Sequence, residues 1–247
     1  MDTIFKAQLP LEIVTLVDSI ESFAKREISI EVNTRPPSPT SPNPDSPVTR
    51  ITPTEATILL RSRDLFRQHD VLHELLHIER MWVEQIPQLM ARDDPRILVS
   101  HGARSKIAGD IENALEHLVI VPREANYGFD PFPYWNETSR KNWSDYPWPA
   151  MTDTWRRRKA CFLGWLTVFY LVNDLEVKRH VEECLRDEGL LDEARRFSAR
   201  IGEKLRVSKQ QAQSAVLRFL EIPTTDFMSV RVNAKDGSHE AFPLPLH

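Results

Sequence analysis

The 247-residue chain is 41% hydrophobic and 28% charged, the make-up of an ordinary globular protein, long enough for one sizeable core or a core with a small appendage. A formal net charge of -4 argues against a general nucleic-acid binder, and the most apolar stretch is too short as a pure run to span a bilayer. No charged segment followed by an apolar signal core is visible, which points to a cytoplasmic protein, and Cys161 and Cys184 are expected as buried thiols rather than a disulfide.

Residues 10–26 carry Ile13, Leu16, Val17, Ile20 and Phe23 at helical spacing and predict a helix packed on a sheet. Residues 28–32 alternate apolar and polar side chains, and 56–61 are rich in Leu and β-branched residues, so both are expected in one small sheet. Between the two strands, 34–53 is proline-rich with Ser-Pro pairs at Ser38, Ser41 and Ser46, and is expected as a mobile, extended insertion with neither strand nor helix.

Residues 64–85 contain no Gly or Pro and end just before Pro87, so they predict a helix. Its apolar residues, among them Leu72, Leu75, Leu76 and Trp82, cover most of the circumference, the pattern of a helix buried on more than one side. Within it stands His73-Glu74-Leu75-Leu76-His77. Residues four apart share a helix face, so both imidazoles can reach one ion while Glu74 sits beside them, the ligand geometry of a zinc hydrolase. His69 continues the same i+4 row; the alternative is a helix whose histidines only hydrogen-bond at a packed interface.

A catalytic zinc needs a third protein ligand and an open position. Residues 105–121 predict a second core helix through Ile107, Ile111, Leu115 and Leu118, flanked by Glu112 and Glu116. One of these carboxylates would be a ligand and the other could orient a ligating histidine. Asn113 and His117 form a parallel pair further round.

The motif helix, followed about 35 to 40 residues later by a glutamate-bearing helix that runs into an apolar stretch and Pro122, resembles the gluzincin arrangement, in particular the ImmA/IrrE-type metallopeptidases. The resemblance spans residues 54–125, and it implies that 56–61 is the sheet edge that receives an extended substrate. Glu112-Asn113-Ala114-Leu115 leading to Val119-Ile120-Val121-Pro122 has the shape of that family's second helix, and Leu76 stands where the family has Gly. Matching by motif favours Glu112 as third ligand, whereas the compact Glu116-His117 pair is the better local candidate and is placed first.

The parts imply a mechanism: His73, His77 and one glutamate hold Zn2+, Glu74 acts as general base on water, and His117, Tyr127 or Tyr134 donates to the oxyanion. Residues 127–155 hold four of the six tryptophans and three of the four tyrosines, and predict an aromatic connection packed on the core or a lid over a cleft. The arginines 156–158 read as a solvated helix start. Residues 154–172, 175–186, 190–205 and 209–220 predict helices, the last pair a hairpin with a weak likeness to helix-turn-helix, and 227–232 a terminal strand before a loosely ordered tail.

The expectation is an α+β, predominantly helical protein: a zincin-like core over 1–125, an aromatic connection over 126–155 and a helical region over 156–247. Its expected function is zinc-dependent hydrolysis of a peptide bond in a specific protein or peptide substrate, with no membrane partner and nucleic acid unfavoured. The alternative is a non-catalytic helical regulatory or interaction protein, with a structural metal site closed by His69 or His117, or with the 190–220 hairpin as its binding element.

Overall fold

The computed structural model describes residues 1, 3–32, 47–92, 98–148 and 151–245. In chain order the elements begin with α1 (Thr3–Lys6), α2 (Leu11–Ala24), β1 (Ile28–Val32), β2 (Val48–Ile51), β3 (Ala56–Leu60), α3 (Gln68–Trp82), β4 (Gln88–Ala91) and α4 (Leu98–Glu124). They continue with α5 (Phe132–Ser144), α6 (Thr154–Leu171), α7 (Leu175–Asp187), α8 (Leu191–Val207), α9 (Lys209–Phe219), β5 (Phe227–Val232) and β6 (His239–Phe242). Helices dominate and the strands form two small sheets, β1-β3-β2 and β4-β5-β6, so the protein is a predominantly helical α+β fold. Two compact units emerge, one from Met1–Pro87, Ile120–Asp130 and Arg231–Glu240, the other from Gln88–Val119, Pro131–Val230 and Ala241–His247.

In the first unit, Ile13, Leu16, Val17 and Ile20 are the buried stripe of α2, as their spacing predicts. β3 is the middle strand, parallel to β1 from Ile28↔Ala56 to Val32↔Leu60 and antiparallel to β2 from Val48↔Leu59 to Ile51↔Ala56. Both of its backbone edges are therefore paired, which corrects the expectation that 56–61 is a substrate-receiving edge. β2 is the second correction. Pro47 and Pro53 bracket Val48–Ile51 but leave every N–H inside it intact, so these mostly β-branched residues pair where no strand is expected. The rest of the proline-rich insertion, 33–46, lies outside the described residues.

α3 covers fewer residues than the predicted 64–85, with a 3-10 turn over Arg63–Leu65 before it. Leu72, Leu75, Leu76, Ile78 and Trp82 are fully buried. Each such side chain contributes roughly 1.5–3 kcal/mol on leaving water. The Trp82 indole also donates to the Thr52 carbonyl at 2.9 Å, tying the end of α3 to the turn between β2 and β3.

The second unit is built on α6, whose Cys161, Phe162, Trp165, Leu166 and Val168 are buried. Phe162, Phe197 and Phe219 meet with centroids 4.9–5.5 Å apart, joining α6, α8 and α9. Asp153 caps α6, accepting from the Arg156 amide at 2.9 Å, and Arg157 and Arg158 pair with Glu188 and Glu193. Residues 132–144, expected as an irregular connection, form α5. Proline at its first turn costs no hydrogen bond, and Trp135, Ser139 and Trp143 recur every four residues on its buried face. A Cβ on Gly202 would lie 1.9 Å from the Tyr170 hydroxyl, which donates to the Ser198 carbonyl, so α8 meets α6 closely there only because residue 202 is glycine. α8 and α9 form the expected helical hairpin; their one-residue link, Ser208, caps α9 by accepting from the Gln211 amide. The tail carries β6 and a buried Leu244, so it is more ordered than its composition suggests. Among the described residues, no helix is long and apolar enough to cross a membrane.

Candidate metal centre

α3 places His69, His73 and His77 in one row, each half-buried, with Glu74 buried beside them. The apolar residues on the rest of the helix hold this face in place, because turning it would expose Leu72, Leu75 and Leu76. His73 and His77 meet edge to face with centroids 5.1 Å apart. Thr49 of β2 donates its hydroxyl to Glu74 Oε2, so the strand that sequence alone hides is the one that steadies the expected general base. Burial raises the Glu74 carboxyl above the usual carboxylate range, although the His73 ring and the Thr49 hydroxyl pull the other way.

The residue missed from the sequence is Glu124. It is fully buried, and each of its oxygens takes one ring: Oε2 lies 2.7 Å from His69 Nε2 and Oε1 lies 2.7 Å from His73 Nδ1. Burial works to raise this carboxyl, yet the hydrogen bonds from His69 and then His73, with the charge of the rings, outweigh it and hold it below its ordinary value. For His73 the balance is the reverse: burial lowers the ring pKa, but the bond to Glu124 and the Glu74 charge raise it overall. A carboxylate facing Nδ1 requires the proton there, which places the lone pair of neutral His73 on Nε2.

Glu124 was missed because Pro122 reads as the end of a helix, whereas α4 continues through it. The helical path ends only at Gly128. A 3-10 turn over Ala125–Tyr127 ends on Gly128 at φ 80, and the Phe129 amide returns to the Glu124 carbonyl at 3.3 Å. That reversal stacks the Phe129 ring on His69 with centroids 5.3 Å apart. The glycine, six residues past the proline, was the available sequence signal for the true end.

The expected third ligands have another partner. The Lys209 ammonium, on the first residue of α9, bonds Glu116 Oε1 and lies 2.5 Å from Glu112 Oε2. The Gln213 amide donates to Glu112 Oε1 at 2.6 Å and accepts from the Ser229 hydroxyl at 3.0 Å. Lys209, Glu116, Gln213 and Ser229 are buried, so this is a packed polar network inside the second unit, and its cation is supplied by the chain itself. A ligand role for Glu112 or Glu116 would have to displace Lys209. His117 presents its ring to Trp135 with centroids 4.8 Å apart, and Tyr134 packs edge-on against the same indole. Tyr127 lies in the electrostatic reach of Glu79 and Arg123, and burial first, then Glu79, pushes its hydroxyl pKa up. Arg123 itself bridges Glu79 and Glu84, a second polar layer at the end of α3.

No protein-family model, curated protein or solved structure matches the chain.

Proposed function

We propose that the protein is a zinc-dependent hydrolase of peptide bonds, acting on a specific protein or peptide inside the cell, with His73 and His77 as metal ligands and Glu74 as general base. The observation that carries this is the Glu124–His73 hydrogen bond. A carboxylate on one ring nitrogen fixes the tautomer and raises the basicity of the other, the usual support of a metal-binding histidine. Glu112 and Glu116, the third ligands expected from the sequence, are engaged by Lys209 instead. Neutral imidazoles suit zinc and leave the charge of the ion uncancelled.

Zinc bound there supplies a Lewis acid that lowers the pKa of water and polarises a scissile carbonyl. The chain supplies the rest. Thr49 holds Oε2 of Glu74, and Oε1 takes the proton of the attacking water and returns it to the leaving amine. A carboxyl lifted by burial is suited to that exchange near neutral pH. The competing structural-site reading needs a fourth protein ligand, and His69 is weakened in that role because its Nε2 is given to Glu124.

Metal content by mass spectrometry on protein purified without added metal is the test, with a quenched-peptide library as the activity readout. About one zinc per chain is expected in the parent and none in His73→Ala or His77→Ala. Glu74→Gln is expected to keep the zinc and lose at least about 100-fold in cleavage rate. Metal-free parent protein, or a Glu74→Gln variant that cleaves as fast as the parent, overturns the proposal.

A further inference from the structure

We propose that Glu124 is the positioning residue of this site, a single carboxylate that clamps His69 and His73 together and sets which nitrogen His73 offers to the metal. The inference rests on the metal reading above, but its central claim concerns a tautomer and can be judged in metal-free protein. Isolated neutral histidine side chains exchange freely between two tautomers, and only one of them leaves Nε2 with a lone pair. Glu124 Oε1, 2.7 Å from His73 Nδ1, selects that one.

His69 has a separate part in the clamp. Its Nε2–H occupies Oε2 at 2.7 Å, so the carboxylate cannot rotate to give both oxygens to His73 or turn away from it. Phe129 stacked on the His69 ring, returned there by Gly128, fixes His69 in turn. The order of support therefore runs Phe129, His69, Glu124, His73, each step a contact in the structure. Two hydrogen bonds from the imidazoles, with the charge of the rings, satisfy this buried carboxylate.

Glu124→Gln keeps the size of the side chain but can accept from only one ring, because its amide nitrogen now donates toward the other. Zinc affinity is to be measured by competition with a chromophoric chelator, and the His73 tautomer by nitrogen-15 NMR of metal-free protein. At a pH where the His73 ring is neutral, the parent should carry its single proton on Nδ1. Glu124→Gln should show mixed tautomers and bind zinc about 10- to 100-fold more weakly. His69→Gln, at a half-buried position that tolerates change, should weaken zinc less than Glu124→Gln does and leave the His73 proton on Nδ1. A parent His73 protonated on Nε2, or a Glu124→Gln variant that keeps both the parent tautomer and the parent affinity, overturns the clamp. Failure of the parent to bind zinc would sink the metal reading, and the tautomer measurement would then decide the clamp by itself.

Discussion

Two buried carboxylate networks in this protein answer the same electrostatic problem in opposite ways. In one, Glu112 and Glu116 are neutralised by the Lys209 ammonium and further held through Gln213 and Ser229. In the other, Glu124 is satisfied by hydrogen bonds from two half-buried imidazoles. The first spends its charge on a cation of the same chain and gains cohesion. The second joins the carboxylate to two imidazoles through one nitrogen of each ring. A carboxylate hydrogen-bonded to histidines rather than to an ammonium is the one to associate with metal or proton transfer.

The contrast breaks most visibly at Lys209. Lys209→Met strands two carboxylates in the interior and is expected to cost about 3–5 kcal/mol in urea unfolding. Combining it with Glu112→Gln and Glu116→Leu removes the stranded charges and should restore most of that loss. A triple variant no more stable than Lys209→Met would show that the network is not held by charge. Zinc content should be unchanged throughout.

Thr49→Val tests the other side at a smaller scale. Removing the hydroxyl leaves Glu74 Oε2 without its donor, at an expected cost of about 1–3 kcal/mol, and Thr49→Ser should recover it. The result is informative only beside zinc content, which both variants should retain.

The smallest effect belongs to a half-buried carboxylate, Asp174, which caps α7. The Val177 amide first, then the Glu176 amide and Arg140, hold its carboxyl below the ordinary value. A depressed folded pKa means stability that is present above the unfolded value and is lost as pH falls through the folded one. Asp174→Asn keeps a good cap without the charge, so the parent should lead slightly at neutral pH and lose that lead below about pH 4, as read from unfolding midpoints.

Much of the fold was legible because its signals are local. The stripe on α2 and the apolar wrap of α3 each sit within one element and formed as expected; β1 formed where its alternation points, but its burial falls from Ile28 toward Val32 instead of alternating. β2 was hidden by the prolines on both sides of it, and α5 by aromatic residues that read as irregular packing until Trp135, Ser139 and Trp143 are seen to recur every fourth residue. His73, Glu74 and His77 could be named from spacing alone. The role of Glu112 and Glu116 could not, because their partner lies 93 residues beyond Glu116 and no periodicity links the two. Glu124 was lost to a reasonable rule, that proline ends helices, applied six residues before the glycine that does so.

Lys209 occupies the first turn of α9, where the partial positive charge of a helix N-terminus repels it, so its place is tolerable only once Glu112 and Glu116 are there to receive it. The hairpin of α8 and α9 needs only neighbours in sequence, whereas the Lys209–Glu116 bond closes a loop of 93 residues. A bond of that span is expected to form late on the route to the native state, and interactions absent from the folding transition state act by slowing escape from the native one. The network is therefore a latch in time: it adds little to how fast the second unit assembles and much to how long it stays assembled.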